Sequence, residues 1–321
     1  MKLFLSVTVL LAFIALAASQ GCEQEVNCLE AIALAASQGC EQEVNCLEAN
    51  GCRCATTQSP LPLDETPQLV ICSFNDAITE LAYTTYYEPL FSGRMNPDFY
   101  PVSATFFVPH EYTDYRRVND FDYRRVNDLY REGHEIAVHS ITKDPLTEYW
   151  LESSVSNLKD EFEGQMRIIS RFANIPVDDI SGARVPNMAL AGDNLFNALS
   201  EIAKLSVPPA SVPFTLDYGS QVICASGVCP QNTHAGMWVT PIINIMGDGV
   251  ECNNLQACRV EGTAQEIANW LIREFNQTSS ISPSFAEGNR APMNLVLSSA
   301  WFMATENSLQ GLHGNRYESG T

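Results

Sequence analysis

Residues 68–76 read QLVICSFND, an apolar run that stops on two adjacent polar residues. A short, unbroken apolar run is what a strand covered on both faces requires. The form recurs: Ser103–Val108 (SATFFV), Glu135–His139 (EIAVH), Ile180–Val185 and Asn294–Phe302 (NLVLSSAWF) are further predicted strands, with shorter ones near Leu205 and Phe214 and over Trp238–Ile243. Helical patterning lies between them, over Ala77–Phe91, Asp122–Gly133, Thr147–Ala173, Gly192–Ala203 and Gly262–Phe275. In the longest of these, Trp150, Leu151, Val155, Leu158, Phe162, Met166 and Ile169 recur at spacings of three and four. Alternating strands and helices with apolar strands predict an α/β fold around a parallel sheet. About seven such units favour a barrel over an open sheet, with the chemistry at the C-terminal ends of the strands. Those ends carry Asn75-Asp76, His139-Ser140, Arg184, Asp217 and Ser298.

Composition narrows the function. Of 321 residues, 45% are hydrophobic and 17% charged, enough apolar content for a sizeable core. Acidic residues outnumber basic ones 38 to 18, a formal charge of −20, which argues against nucleic acid or an anionic membrane as partner. Lys2 precedes the apolar run Leu3–Ala18 and a small-residue stretch, the pattern of a secretory signal over residues 1–19; an uncleaved anchor is the alternative. Secretion suits the 11 cysteines, and Asn276-Gln277-Thr278 is a glycosylation sequon.

Residues 20–67 form a cysteine-rich segment and linker. Cys40, Cys46, Cys52 and Cys54 lack the paired knuckles of a zinc ribbon and are expected in disulfides. Local pairs are expected for Cys224 with Cys229 and Cys252 with Cys258, while Cys72 is expected as a buried free thiol. Residues 14–31 recur letter for letter at 32–49, and DYRRVND at 114–120 recurs at 122–128. Structural repeats drift and recur at unit-building periods. These do neither, so a recent duplication or an assembly error is expected, with Ile32–Ala36 packed against nothing or forming a disordered or helical tail outside the domain.

SFNDA at 73–77, GHEIAVHSIT at 133–142, GARVP at 182–186, FTLDY at 214–218 and NRAP…SAWF at 289–302 resemble the arthropod chitin deacetylases, of the polysaccharide deacetylase family (carbohydrate esterase family 4). The resemblance covers Cys40 to His313 and is similar to the short, gut-expressed form. It implies a deformed (β/α)7-type barrel over residues 68–321, incomplete at the C-terminus, and a monomer secreted to the gut lumen or peritrophic matrix. It also implies zinc or another divalent metal as cofactor and chitin or chitooligosaccharide as partner.

The family chemistry hydrolyses the N-acetyl C–N bond, with one Asp and two His on the metal, an Asp base, a His acid and an Arg that positions the base. Transferred residue by residue, Asp76 and His139 retain their metal-ligand roles, and Arg184 survives. The base position holds Asn75, whose amide cannot take a proton, and the second His ligand falls on Lys143, whose ammonium has no lone pair to offer. The acid position holds Ser298, whose hydroxyl does not titrate near neutrality. Asp217, Tyr218, Trp238 and Trp301 are candidate substrate contacts, Trp301 being equally a core residue. His134, an odd number of positions from His139, is expected to be structural. Three functions remain open: a catalytically impaired homologue that acts on or binds N-acetylglucosamine polymers, with weak or no metal binding; a working metal-dependent deacetylase; and a structural matrix protein.

Overall fold

The computed structural model describes residues 39–56, 61, 62, 65, 66, 69–112, 121–200, 213–220, 224, 226–240, 242, 244–281 and 292–313. The signal segment, Ile32–Ala36, the first DYRRVND copy and the strand expected near Leu205 lie outside them.

Four strands form the central sheet: β1 (Val70–Phe74), β2 (Thr105–Val108), β3 (Glu135–Val138) and, near the C-terminus, Met293–Leu297, all parallel. The last pairs with β1, so the order from one edge is 293–297, β1, β2, β3. A parallel bridge from Val138 to Ala183 continues the sheet beyond β3. The expected strand over Ile180–Val185 is therefore reduced to one bridge, preceded by the 3-10 turn Val177–Asp179. First and last strands are neighbours, as a barrel demands, but among the described residues no pairing closes a ring.

Helices cover the sheet: residues 80–91 (α1), in which Tyr83–Tyr87 is a π-helical turn, then Phe121–Arg131 (α2), Thr147–Glu152 (α3), Val155–Ala173 (α4), Asp193–Ser200 (α5) and Ala264–Ile281 (α6). The single helix expected over Thr147–Ala173 is two, because Ser154 takes an extended conformation and its side chain accepts from Asn157 N, capping α4. The second DYRRVND copy lies in α2, where Tyr123 and Val126 are buried. The strand expected over Asn294–Phe302 stops at Leu297, and Ser299–Ala304 (α7) and Ser308–His313 (α8) follow. A short antiparallel pair, Phe214–Leu216 with His234–Val239, stands apart from the main sheet, and the strand expected over Trp238–Ile243 begins earlier and ends at Val239.

An aromatic cluster fills the space between sheet and α1. Phe74 stacks on Phe106 at 5.0 Å, and Tyr87 meets both edge-on at 5.1 and 5.0 Å. The first half of β1 is less buried than its apolar sequence implies: Leu69 and Val70 are exposed. Among the described residues the disulfides are Cys40–Cys54, Cys46–Cys52, Cys224–Cys229 and Cys252–Cys258, and Cys72 is a half-buried free thiol. Among the described residues no helix is long and apolar enough to cross a membrane.

Two buried polar side chains set the loops at the strand ends. Glu161 of α4 accepts from Ile141 N, Thr142 N, Thr142 Oγ1 and Tyr149 OH. That grip holds a loop in which Ser140 and Lys143 have φ of +85° and +45°, a conformation costing about 1–3 kcal/mol per non-glycine residue. His134 lies between Phe91 and Phe106 at ring distances of 4.7 and 5.4 Å, and its Nδ1 accepts from Ala104 N.

Replacing Glu161 by alanine strands four donors at once. We expect Glu161→Ala to cost about 3 kcal/mol and lower the thermal midpoint by roughly 5–10 °C, read by circular dichroism. Burial pushes His134 down to about 4 from 6.5. Between those values the unfolded chain binds a proton that the folded chain refuses, so stability falls as pH drops from 6.5 towards 4. Urea unfolding should show up to about 3 kcal/mol of this loss, and His134→Gln should flatten that part of the profile.

Candidate functional site

The C-terminal ends of β1 and β3, the loop after β3 and the start of α7 meet at one point. Asp76 leaves β1 into the interior and is 8% exposed. Its Oδ2 accepts from Tyr87 OH at 2.7 Å and from Ser299 N, and its Oδ1 accepts from Ser299 Oγ at 3.2 Å. The carboxylate thus caps the first turn of α7, whose N–H groups have no partner within the helix. Burial raises the Asp76 carboxyl above its ordinary range, against the pull of Tyr87, Lys143 and Ser299. The Tyr87 phenol is raised further by burial and by the carboxylate beside it.

Asn75 makes two bonds to cationic side chains. Its Oδ1 accepts from Arg184 Nη1 at 2.8 Å, and its main-chain carbonyl accepts from Lys143 Nζ at 2.9 Å. Arg184 is buried, its guanidinium 4.0 Å above the Phe107 ring, and Nη2 donates to Ser73 Oγ at 3.1 Å. Burial lowers the pKa of both cations, with Asp76 opposing the shift at Lys143. His139 is 2% exposed, and burial and the nearby Lys143 keep its imidazole neutral by holding its pKa well below 6.5. Its Nδ1 lies 2.8 Å from Arg184 O, and only a donor fits a carbonyl there, so the lone pair resides on Nε2. Ser298 Oγ donates to Gln256 Oε1 at 2.9 Å.

Asn75, Asp76, His139, Lys143 and Ser298 all line one pocket of about 440 Å³. Its remaining wall includes Asn187, Asn253, Asn254, Gln256, Tyr112 and Met188. Arg184 lies behind Asn75, outside the lining.

The other predicted contacts are elsewhere. Trp301 is fully buried, because it falls on the inward face of α7 and not on a strand. Tyr218 OH donates to Asn45 O, and its ring packs on the disulfides of the N-terminal segment. Asp217 accepts weakly from Gly236 N at 3.4 Å, and Trp238 is 40% exposed on the antiparallel pair. None of the four lines the pocket.

Sequence reasoning missed Tyr87, Ser299 and the amides from 253 to 256. Tyr87 carries no motif and reaches Asp76 only because α1 folds back over β1. Asn253, Asn254 and Gln256 did leave a signal: they lie between Cys252 and Cys258, whose disulfide fixes a polar loop.

A divalent metal needs three open lone pairs at one point. Here Asp76 Oδ2 already holds two donors and Oδ1 one, and Lys143 Nζ is itself a donor, so Asp76 Oδ1 and His139 Nε2 leave two lone pairs where three are needed. The residues present therefore do not fit the metal that the resemblance implies. Among the described residues the three metal-capable side chains that come together are Cys40, Cys46 and Cys54, all in disulfides.

No family model matches the chain. Chitin deacetylase 8 of Bombyx mori is 30% identical over 274 residues, covering 81% of this chain and 68% of that protein. Chitin deacetylase 1 of Bombyx mori is 29% identical over 260 residues, covering 75% of this chain and 45% of the longer relative. Among solved structures, a family 4 acetyl xylan esterase from Clostridium thermocellum in complex with a cobalt ion is 23% identical, with a TM-score of 0.33 over 44% of this chain and 58% of that one. On the extent of the match to the first Bombyx mori protein, the chain belongs to the chitin deacetylase family.

Proposed function

We propose that the chain is a secreted chitin deacetylase homologue that holds N-acetylglucosamine chains and is impaired in cleaving their N-acetyl groups. The observation that carries this reading is the pairing of Asn75 with Arg184. The amide oxygen takes the guanidinium's bond at 2.8 Å and so replaces a carboxylate structurally, but it cannot accept a proton from water. Lys143 fills the third ligand position with a donor, and Ser298 brings a hydroxyl where the leaving amine needs an acid.

The pocket wall supports binding. Uncharged amides at 187, 253, 254 and 256 can exchange hydrogen bonds with sugar hydroxyls, and Tyr112 and Met188 add apolar surface. The N-terminal leader pattern and the disulfides support an extracellular location.

Acetate release from chitin oligomers is the test. Each acid or base group is worth on the order of 10²–10⁴-fold, so the unmodified chain should release none above background. Asn75→Asp, Lys143→His and Ser298→His combined should raise release in a zinc-dependent way, whereas single changes should recover little, because the groups act as one unit. Release by the unmodified chain that a chelator abolishes and zinc restores would make it a working deacetylase.

A further inference from the structure

Lys143 follows a loop that is expensive to build. Its backbone has φ +45°, its N–H is held by Ser140 Oγ at 3.1 Å, and Glu161 grips the two residues before it. The outcome is that Nζ sits 2.9 Å from the Asn75 carbonyl, beside the buried Asp76, on the wall of the pocket. Both Asp76 oxygens already accept hydrogen bonds from the protein, two on Oδ2 and one on Oδ1. We propose that Lys143 is a resident cation in the place of a divalent metal, and that through it the pocket grips the N-acetyl group of a saccharide without any metal.

This rests on the saccharide-binding reading above and adds how the group is recognised. Asn75 lines the pocket, and with its Oδ1 committed to Arg184 its amide Nδ2 remains as a donor. Nζ keeps further N–H groups beyond the one given to Asn75. Two donors are thus available to a carbonyl oxygen, while His139 Nε2 offers an acceptor on the same wall. An acetamido group carries the matching pair, a carbonyl acceptor and an N–H donor. A deacetylated sugar instead carries an ammonium, which Lys143 and Arg184 repel.

The test is calorimetric titration of the full chain with tetra-N-acetylchitotetraose and with its deacetylated counterpart, each with chelator and with zinc. The N-acetylated oligomer should bind equally under both conditions, and the deacetylated one at least tenfold more weakly. Lys143→Met should weaken N-acetyl binding about 10- to 100-fold, the worth of one charge-assisted bond. In parallel, neither 0.1 mM zinc nor chelator should shift the thermal midpoint of the unmodified chain, a readout independent of whether the variant folds. Binding that needs zinc, a zinc-induced rise in midpoint, or unchanged affinity in Lys143→Met would overturn the resident cation while leaving saccharide binding intact. Absence of binding under every condition would overturn both.

Discussion

The Asp76 carboxylate is the point on which the site's architecture rests. An ionised carboxylate is costly to bury unless its oxygens are satisfied. Here they are satisfied by the end of α1 through Tyr87 and by the start of α7 through Ser299, with Lys143 supplying the opposing charge. The same four bodies (strand, two helices and loop) would have to move together if Asp76 moved. That requirement keeps the pocket formed whatever acid–base groups line it.

The Asn75–Arg184 pair shows how one hydrogen-bond geometry can be held by chemically different acceptors. An amide oxygen and a carboxylate oxygen accept the same guanidinium bond with the same reach. What differs is charge: Arg184 is buried over Phe107 and bonded only to neutral acceptors, Asn75 Oδ1 and Ser73 Oγ. A buried cation bonded to no carboxylate is destabilising, and the ring face below it and the charge of Glu135 recover part of that cost. The site therefore holds two cations, Lys143 and Arg184, against one buried carboxylate.

Much of the sheet was legible because its strands are covered on both faces and so are nearly all apolar. The strands at 105–108 and 135–138 lie within their predicted spans, and Asn75, Asp76, His139 and Ser298 meet as their places at strand ends imply, with Lys143 joining them from the loop after β3. Legibility failed where an apolar run changes geometry midway. NLVLSSAWF is broken only by two serines, which a strand tolerates, yet Ser298 turns the chain into a helix because a carboxylate far back in sequence waits to cap it. The aromatic contacts failed for the related reason that an exposed sugar platform and a core residue share one composition. Trp301 went to the core, and Tyr218 went to the N-terminal segment.

That N-terminal segment has a bearing on the order of assembly. Among the described residues its two disulfides span sequence separations of only 14 and 6, so closing them loses little chain entropy and needs nothing downstream. Its attachment is the opposite: Arg53 N donates to Thr215 Oγ1 and Thr215 N to Arg53 O, across 162 positions, and Tyr218 reaches back to Asn45. The small cross-linked knot can form while the chain is still being made, then wait as a rigid template until the strand at 214–216 emerges and is captured by it. The part of the domain that can be covalently fixed earliest is thus seated only once residues 214–218 have been made.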